Sequence, residues 1–271
     1  MNVQLGRRAV LALYSVLIAV PLLVVVFGSF KTTPQLFDSP YSPPTKPRLS
    51  NYHEVLGNGG LLRALANSVI VTGCGVVITL VVAALAAYGV ARIPGWRGWV
   101  VYGVLVVGMA IPAQANMIPQ FVLFDYLGLT NSLVGLVLIE IVTTLPIAVF
   151  IIAGFMRTLP RDMFEASDID GAGPWRTFRS IVVPLSVPSL AATAIFLLVI
   201  QWNDLLYPLL FITDPHKRTL PLALLDFQGQ FLTDYPILFA GVIVASVPMV
   251  IAYAFLQRFF IAGLSAGAVK G

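Results

Sequence analysis

The sequence predicts an all-α, polytopic integral membrane protein with six transmembrane helices, and three observations carry that class. Hydrophobic residues make up 58% of the 271 and charged residues only 10%, against about 45–50% and about 25% in soluble domains. The mean hydropathy is +0.91. The apolar residues are gathered into long runs without period-2 alternation, and a bilayer core about 30 Å thick takes roughly 20 of them as helix. Backbone groups find no water in lipid, so only helices or closed barrels can span it, and the missing alternation excludes the barrel.

The expected spans are 9–30, 62–91, 98–117, 133–156, 182–203 and 237–257, together forming one membrane domain over 1–271. The first follows Arg7 and Arg8 and runs uncharged from Ala9 to Phe30. That is longer than the roughly 7–15 residues of a signal-peptide core, and no small-x-small cleavage site follows, so it is expected to stay as a membrane helix. The loop 31–61 contains YSPPTKP, an extended piece because proline fixes φ and lacks a donor. The loop 204–236 alternates apolar pieces with Asp and Pro and is expected to hold a short re-entrant or surface helix.

An even number of spans puts both termini on one side, and the basic residues choose which. With the termini inside, Arg7, Arg8, Arg92, Arg97, Arg157, Arg161, Arg176, Arg179, Arg258 and Lys270 are cytoplasmic, while Lys31, Lys46, Arg48, Arg63, Lys217 and Arg218 are external. The excess favours cytoplasmic termini. The net charge of +4 is thus spent on topology between apolar runs and points to no nucleic-acid partner. Cys74, alone in its type and inside an apolar run, is expected to be a small buried hydrophobe. His53 and His216 have no second ligand nearby and are expected in solvated loops, so no metal is expected.

One segment breaks the apolar pattern. RDMFEASDIDGAGPWRTFRS, residues 161–180, brings Asp162, Glu165, Asp168 and Asp170 together, with Arg161, Arg176 and Arg179 at its flanks. Pro160 ends the preceding span, because proline disfavours helix at its predecessor. Asp162 as N-cap with Glu165 three residues on makes a capping-box variant, and the acids complement the helix dipole. Gly171 suits the left-handed position after the helix, and Pro174 the first turn of the next. Two short helices are predicted, about Met163–Asp170 and Pro174–Ile181, joined by a sharp turn. A plain connector needs only a few residues. The segment is either an interfacial loop or a docking knob for a cytoplasmic partner.

EASDIDGAGPWRTFRSIVVP resembles the EAA loop of binding-protein-dependent ABC transporter permeases, whose pattern is E-A-A, three residues, G, nine residues, then I-x-L-P. Glu165, Ala166 and Ser167 stand at the first three positions, Asp170 precedes Gly171, and Ile181, Val183 and Pro184 follow at the spacing of the pattern. Ser167 replaces the third alanine and Val183 the leucine, both at similar size. IDGAGPWRTFRSIVVPLSVPSL, WNDLLYPLLF, RTLPLAL, the NYHEVL before the second span and the terminal QRFFIAGLSAGAVKG are similar to the carbohydrate-importing branch, in particular its shorter, maltose-type permease subunit. The resemblance implies the ABC importer permease fold in a bacterial inner membrane. It also implies a heterodimer with a second permease, two copies of a cytoplasmic ATPase and an extracytoplasmic sugar-binding protein. Glu165, Ala166, Ser167, Asp170, Gly171 and Pro184 would form the coupling segment (160–181 and the start of the next span). Gly263, Gly267 and Lys270 would lie in a tail reaching the ATPase, unless that tail is simply a frayed terminus.

The chain has no G-x-x-x-x-G-K-[ST] phosphate loop, so it is expected to be a non-catalytic subunit without a cofactor, driven by a separate ATPase. Glu140 is the one carboxylate well inside a span, where a charge costs about 2.5–3.5 kcal/mol. It is expected to face other helices or a wet cavity. With Asp204 and Asn203 it could give sugar hydroxyls their partners, Trp202 and Tyr207 serving as stacking surfaces. The alternatives are an inter-helix hydrogen bond for Glu140 and an interfacial aromatic belt for the two rings. The rival function is an ion-coupled secondary transporter using Glu140 and Asp204 as proton carriers.

Overall fold

In the computed structural model, residues 2–57, 60–227 and 233–268 are described, side chains excepted at 2, 3, 5 and 258–268. The regular secondary structure of the described residues is all helical, its α-helices in the order α1 Asn2–Gly28, α2 Thr33–Asp38, α3 Ser50–Gly57, α4 Gly60–Arg92, α5 Gly95–Val106, α6 Ala113–Tyr126, α7 Leu133–Met156, α8 Arg161–Ile169, α9 Pro174–Thr177, α10 Val183–Trp202, α11 Leu206–Phe211, α12 Leu220–Leu224 and α13 Tyr235–Ala268. Five spans are long and apolar enough to cross a membrane, Gly6–Gly28, Gly60–Arg92, Leu133–Met156, Pro174–Trp202 and Tyr235–Gln257, and α5 with α6 makes a sixth if that bent pair counts as one. The chain groups into two compact units, Met1–Leu65 with Arg218–Pro248, and Ala66–Lys217 with Met249–Gly271.

The third expected span is not straight. Gly95–Ala110 and Ala113–Tyr126 meet at 95°. Pro112 explains the break, since it donates no hydrogen bond and moves Ile111 to extended backbone (ψ 115). The fifth span differs in the opposite sense. No break separates the short helix at Pro174 from the span; α9 passes through a π-helical stretch, Phe178–Val182, directly into α10. The Val183 amide reaches back five residues to Phe178 O. The widened turn accommodates Pro184, which has no amide hydrogen and whose ring would strike the carbonyl of residue 180 in a regular helix.

In the first unit the extracellular-loop candidate 31–61 is pinned to the end of α1. The Thr32 hydroxyl and Gln35 side chain cap α2 reciprocally, a capping box that sequence reading passed over. Asn51 of α3 donates to Ser29 O and Lys31 O at 2.8 and 3.0 Å. The second unit has its core where α4, α7 and α10 meet. Ala83, Ala84 and Ala87 of α4 pack with Ala148, Val149, Ile152 and Ala153 of α7 and Leu197 of α10. Small residues let the backbones approach, the usual means of helix association in lipid. Ser132 caps α7 through the Gly135 amide, and Asn131, at φ 50, accepts from the Thr213 and Asp214 amides.

Cys74 is exposed, contrary to the expected burial. On a helix solvated by lipid, an apolar residue gains nothing by facing inward. His53 sits exposed on α3 and His216 exposed in a short 3-10 turn. Among the described residues no cluster of His, Cys, Asp or Glu could hold a metal.

Candidate functional site

Two places in the second unit gather the residues that the sequence singles out. The first is the α8–α9 segment. α8 begins directly after Pro160, whose φ and ψ of −58 and 134 make it the N-cap without a side-chain bond. Asp162 therefore does not cap: it lies inside the first turn, two residues beyond the N-cap, and acts only on the dipole. The end of α8 is as expected. Gly171 has φ +68, the Gly171 amide donates to Asp168 O at 3.1 Å, and the Ala172 amide donates to Ser167 O at 3.0 Å. These two bonds form a Schellman motif. Pro174 occupies the first turn of α9.

Side chains then lock the two short helices to each other and to α4. Ser167 and Thr177 are buried with their hydroxyls 2.6 Å apart. Asp168 takes a bidentate bond from Arg92 Nη2 at 2.8 and 2.9 Å. Arg92 Nη1 donates to the Tyr88 hydroxyl at 3.0 Å, and that hydroxyl donates to Pro174 O at 2.9 Å. One chain of bonds thus runs from α8 through the end of α4 to α9. Arg92, Tyr88 and Thr177 were missed by sequence reading. An arginine closing an apolar run signals a membrane boundary, but no spacing names its partner.

The opposite face of the segment is open. Glu165 and Ala166 are exposed, Ile169 is 86% exposed and Trp175 64% exposed. Asp170 is also exposed, and so is Pro184 at the start of α10. Apolar side chains are thus presented beside a carboxylate on a helix pinned from behind. Gly263 and Gly267 fall in the last turns of α13, and Lys270 lies outside the described residues.

The second place is a cavity of about 450 Å3 lined by Glu140, Thr143 and Thr144 of α7, by Gln114 and Gly108, and by Asp204 and Tyr207. Glu140 is 4% exposed, and its carboxyl faces the same cavity as that of Asp204. Asp204 accepts from the Leu206 and Tyr207 amides at 3.1 and 3.3 Å, which starts α11. Burial pushes the Asp204 carboxyl above the usual carboxylate range, and those two amides pull it back. The Tyr207 hydroxyl donates to Gln120 Oε1 at 3.0 Å. Behind Thr144, whose hydroxyl donates to Glu140 O at 2.6 Å, Gln201 Nε2 donates to Thr144 Oγ1 at 3.0 Å. Trp202 and Asn203 stand apart from this cavity: Trp202 is buried, not exposed as a belt residue would be, and Asn203 is exposed with its amide on Val199 O. The two acids, 64 positions apart by number, come together because α10 ends beside the middle of α7.

The chain is similar to known proteins over nearly its whole length. The diacetylchitobiose uptake system permease protein NgcG of Streptomyces coelicolor is 34% identical over 267 residues, covering 97% of this chain and 88% of that protein. The trehalose/maltose transport system permease protein MalG of Thermococcus litoralis is 30% identical, covering all of both. Among solved structures, a bacterial ABC transporter involved in import of the acidic polysaccharide alginate has a chain that superposes with a TM-score of 0.83 at 19% identity, covering 95% of this chain and 96% of that one. Residues 75–265 match the family described as binding-protein-dependent transport system inner membrane component, which takes in both places described above. The chain belongs to that family, as a multi-pass protein of the inner membrane with the fold of ABC importer permeases.

Proposed function

We propose that this chain is the permease subunit of an ATP-driven importer that moves a sugar or oligosaccharide by alternating access, and that a separate cytoplasmic ATPase drives it through the α8–α9 segment. The carrying observation is that this segment is anchored on one face and open on the other. Ser167–Thr177 and the Asp168–Arg92–Tyr88–Pro174 bonds fasten it to α4, and α9 continues without a break into α10. Force applied to Glu165, Ile169 and Trp175 would therefore reach two spans at once, which is what rigid-body rocking between inward- and outward-open states needs. On this reading the segment and both termini are cytoplasmic. The assembly comprises a second, related permease, two ATPase copies and an extracytoplasmic sugar-binding protein.

The relatives that take up diacetylchitobiose or transport trehalose and maltose favour a sugar, and the Glu140–Asp204–Tyr207 cavity has the hydroxyl and carboxyl groups to receive one. We assign that cavity to the translocation path. Affinity purification of the full chain from its native membrane is expected to recover a second permease and an ATPase. Uptake should collapse on ATP depletion and persist with a protonophore. The opposite pattern would favour the ion-coupled reading that the two acids of this cavity also allow.

A further inference from the structure

A third place has no role in the account so far. At the end of the helices that carries α8, a cavity of about 330 Å3 is lined by Ile93 and Gly95 of the α4–α5 turn, by Gly98 and Trp99 of α5, by Met156, Arg157 and Leu159 at the end of α7, and by Arg161 and Phe164 of α8. Two arginines line it and no carboxylate does. Among the described residues, neither Arg157 nor Arg161 makes an ion pair. Lone cations at a protein surface are ordinary; a pre-oriented one is not. The Arg157 guanidinium lies 4.2 Å from the ring centres of both Trp99 and Tyr102, which fixes its plane without neutralising its charge. Its one hydrogen bond is a long one, from Nη2 to Gly98 O at 3.5 Å. A guanidinium has five N–H donors, so most of its edge remains free to grip an oxyanion in bidentate fashion.

The surroundings name the class of anion. The cavity lies where α4, α5, α7 and α8 begin or end, the level at which spans meet the headgroups. Trp96 and Trp99, 71% and 66% exposed, stand at the start of α5 as interfacial anchors do. Arg97, also exposed, lies between them in sequence. Gly98 keeps the turn tight, since a Cβ there would come within 2.4 Å of Ile93 O. A phosphate entering beside Trp99 would meet Arg157 and Arg161 while its attached chains lay against the apolar outer face of α5, formed by exposed Val100 and Val104. Basic pockets between spans at this depth bind acidic lipid headgroups.

We propose that this cavity binds the phosphate of an anionic phospholipid, with Arg157 and Arg161 as its ligands. Because Phe164 and Arg161 belong to α8, the lipid braces the root of the segment assigned to ATPase coupling. The site itself does not depend on that assignment.

The test is native mass spectrometry of the assembled complex, purified with its partner subunits, titrated with phosphatidylglycerol, with phosphatidylcholine of the same chains, and with inorganic phosphate. Two arginines near an anionic surface correspond to a preference of about thirtyfold for phosphatidylglycerol over phosphatidylcholine. Arg157→Ala/Arg161→Ala should abolish that preference. Arg161→Gln, an exposed position whose loss leaves the packing intact, should reduce it about fivefold. Equal retention of phosphatidylglycerol by wild type and the double variant would overturn the proposal. So would saturation by inorganic phosphate without any lipid preference, which would make the ligand a free phosphate. Loss of the ATPase from either variant with lipid retention unchanged would assign the cavity to subunit docking instead.

Discussion

Gly171→Ala isolates the turn on which the coupling segment depends. Gly171 holds φ +68, and a Cβ built on it meets nothing within 4 Å. The whole cost of the substitution is therefore backbone strain, about 1–2 kcal/mol for a non-glycine residue in the left-handed region. Two residues on, Gly173 supplies its own control. Its φ is −66 and its Cβ position is equally open, so Gly173→Ala carries no left-handed strain and costs only the weaker cap that alanine makes at the start of α9. The readout is amide hydrogen exchange at Ala172, whose N–H closes the Schellman motif on Ser167 O. Gly171→Ala should raise its opening by a factor of about 5–30, the range that strain corresponds to, and lower ATP-driven uptake. Gly173→Ala should change neither. Equal protection in the two variants would refute the assignment of Gly171 as the conformational requirement of the turn.

Three further outcomes follow from the same geometry. Asp168→Ala removes a pair whose side chains are 27% and 55% exposed, so melting in detergent should shift little, by about 0.2–1 kcal/mol. The substrate moved per ATP should nevertheless fall, and the swap Arg92→Asp/Asp168→Arg should restore part of it. Ser167→Ala leaves the Thr177 hydroxyl its bond to Gly173 O and should cost about 0.5–1.5 kcal/mol by thermal melting, whereas Ser167→Leu, with no room beside Thr177, should detach α8. Glu140→Gln keeps the size and polarity of the side chain in the cavity shared with Asp204, and ATP-driven uptake should survive it; a proton-coupled carrier would lose transport with that change.

Much of the fold is written in residue types that act locally. Apolar runs mark the spans because lipid allows nothing else, and Gly171 and Pro174 mark their turn because each has one favourable use there. The misreadings have local causes too. Asp162 looked like a cap because Asp-x-x-Glu is a capping pattern, but Pro160 starts α8 earlier without any side-chain bond. The bend at Pro112 and the π-helical entry to α10 depend on how proline is absorbed, which hydropathy does not record. The site was legible only in part. Glu140 was conspicuous as a carboxylate in an apolar run, yet its place beside Asp204 in one cavity comes from α7 and α10 lying together, and nothing in either segment specifies the other. Cys74 shows the same limit from the other side, since in a lipid-solvated helix an apolar neighbourhood in sequence does not imply burial.

The most direct test of the coupling account is contact itself. A photo-crosslinking amino acid placed at Ile169, beside Glu165 on the open face of α8, should capture the ATPase subunit in an assembled complex that still takes up substrate. The same probe at Val187, exposed along the membrane span of α10, should capture none. An uptake-competent complex that gives no ATPase adduct from position 169 would contradict the account.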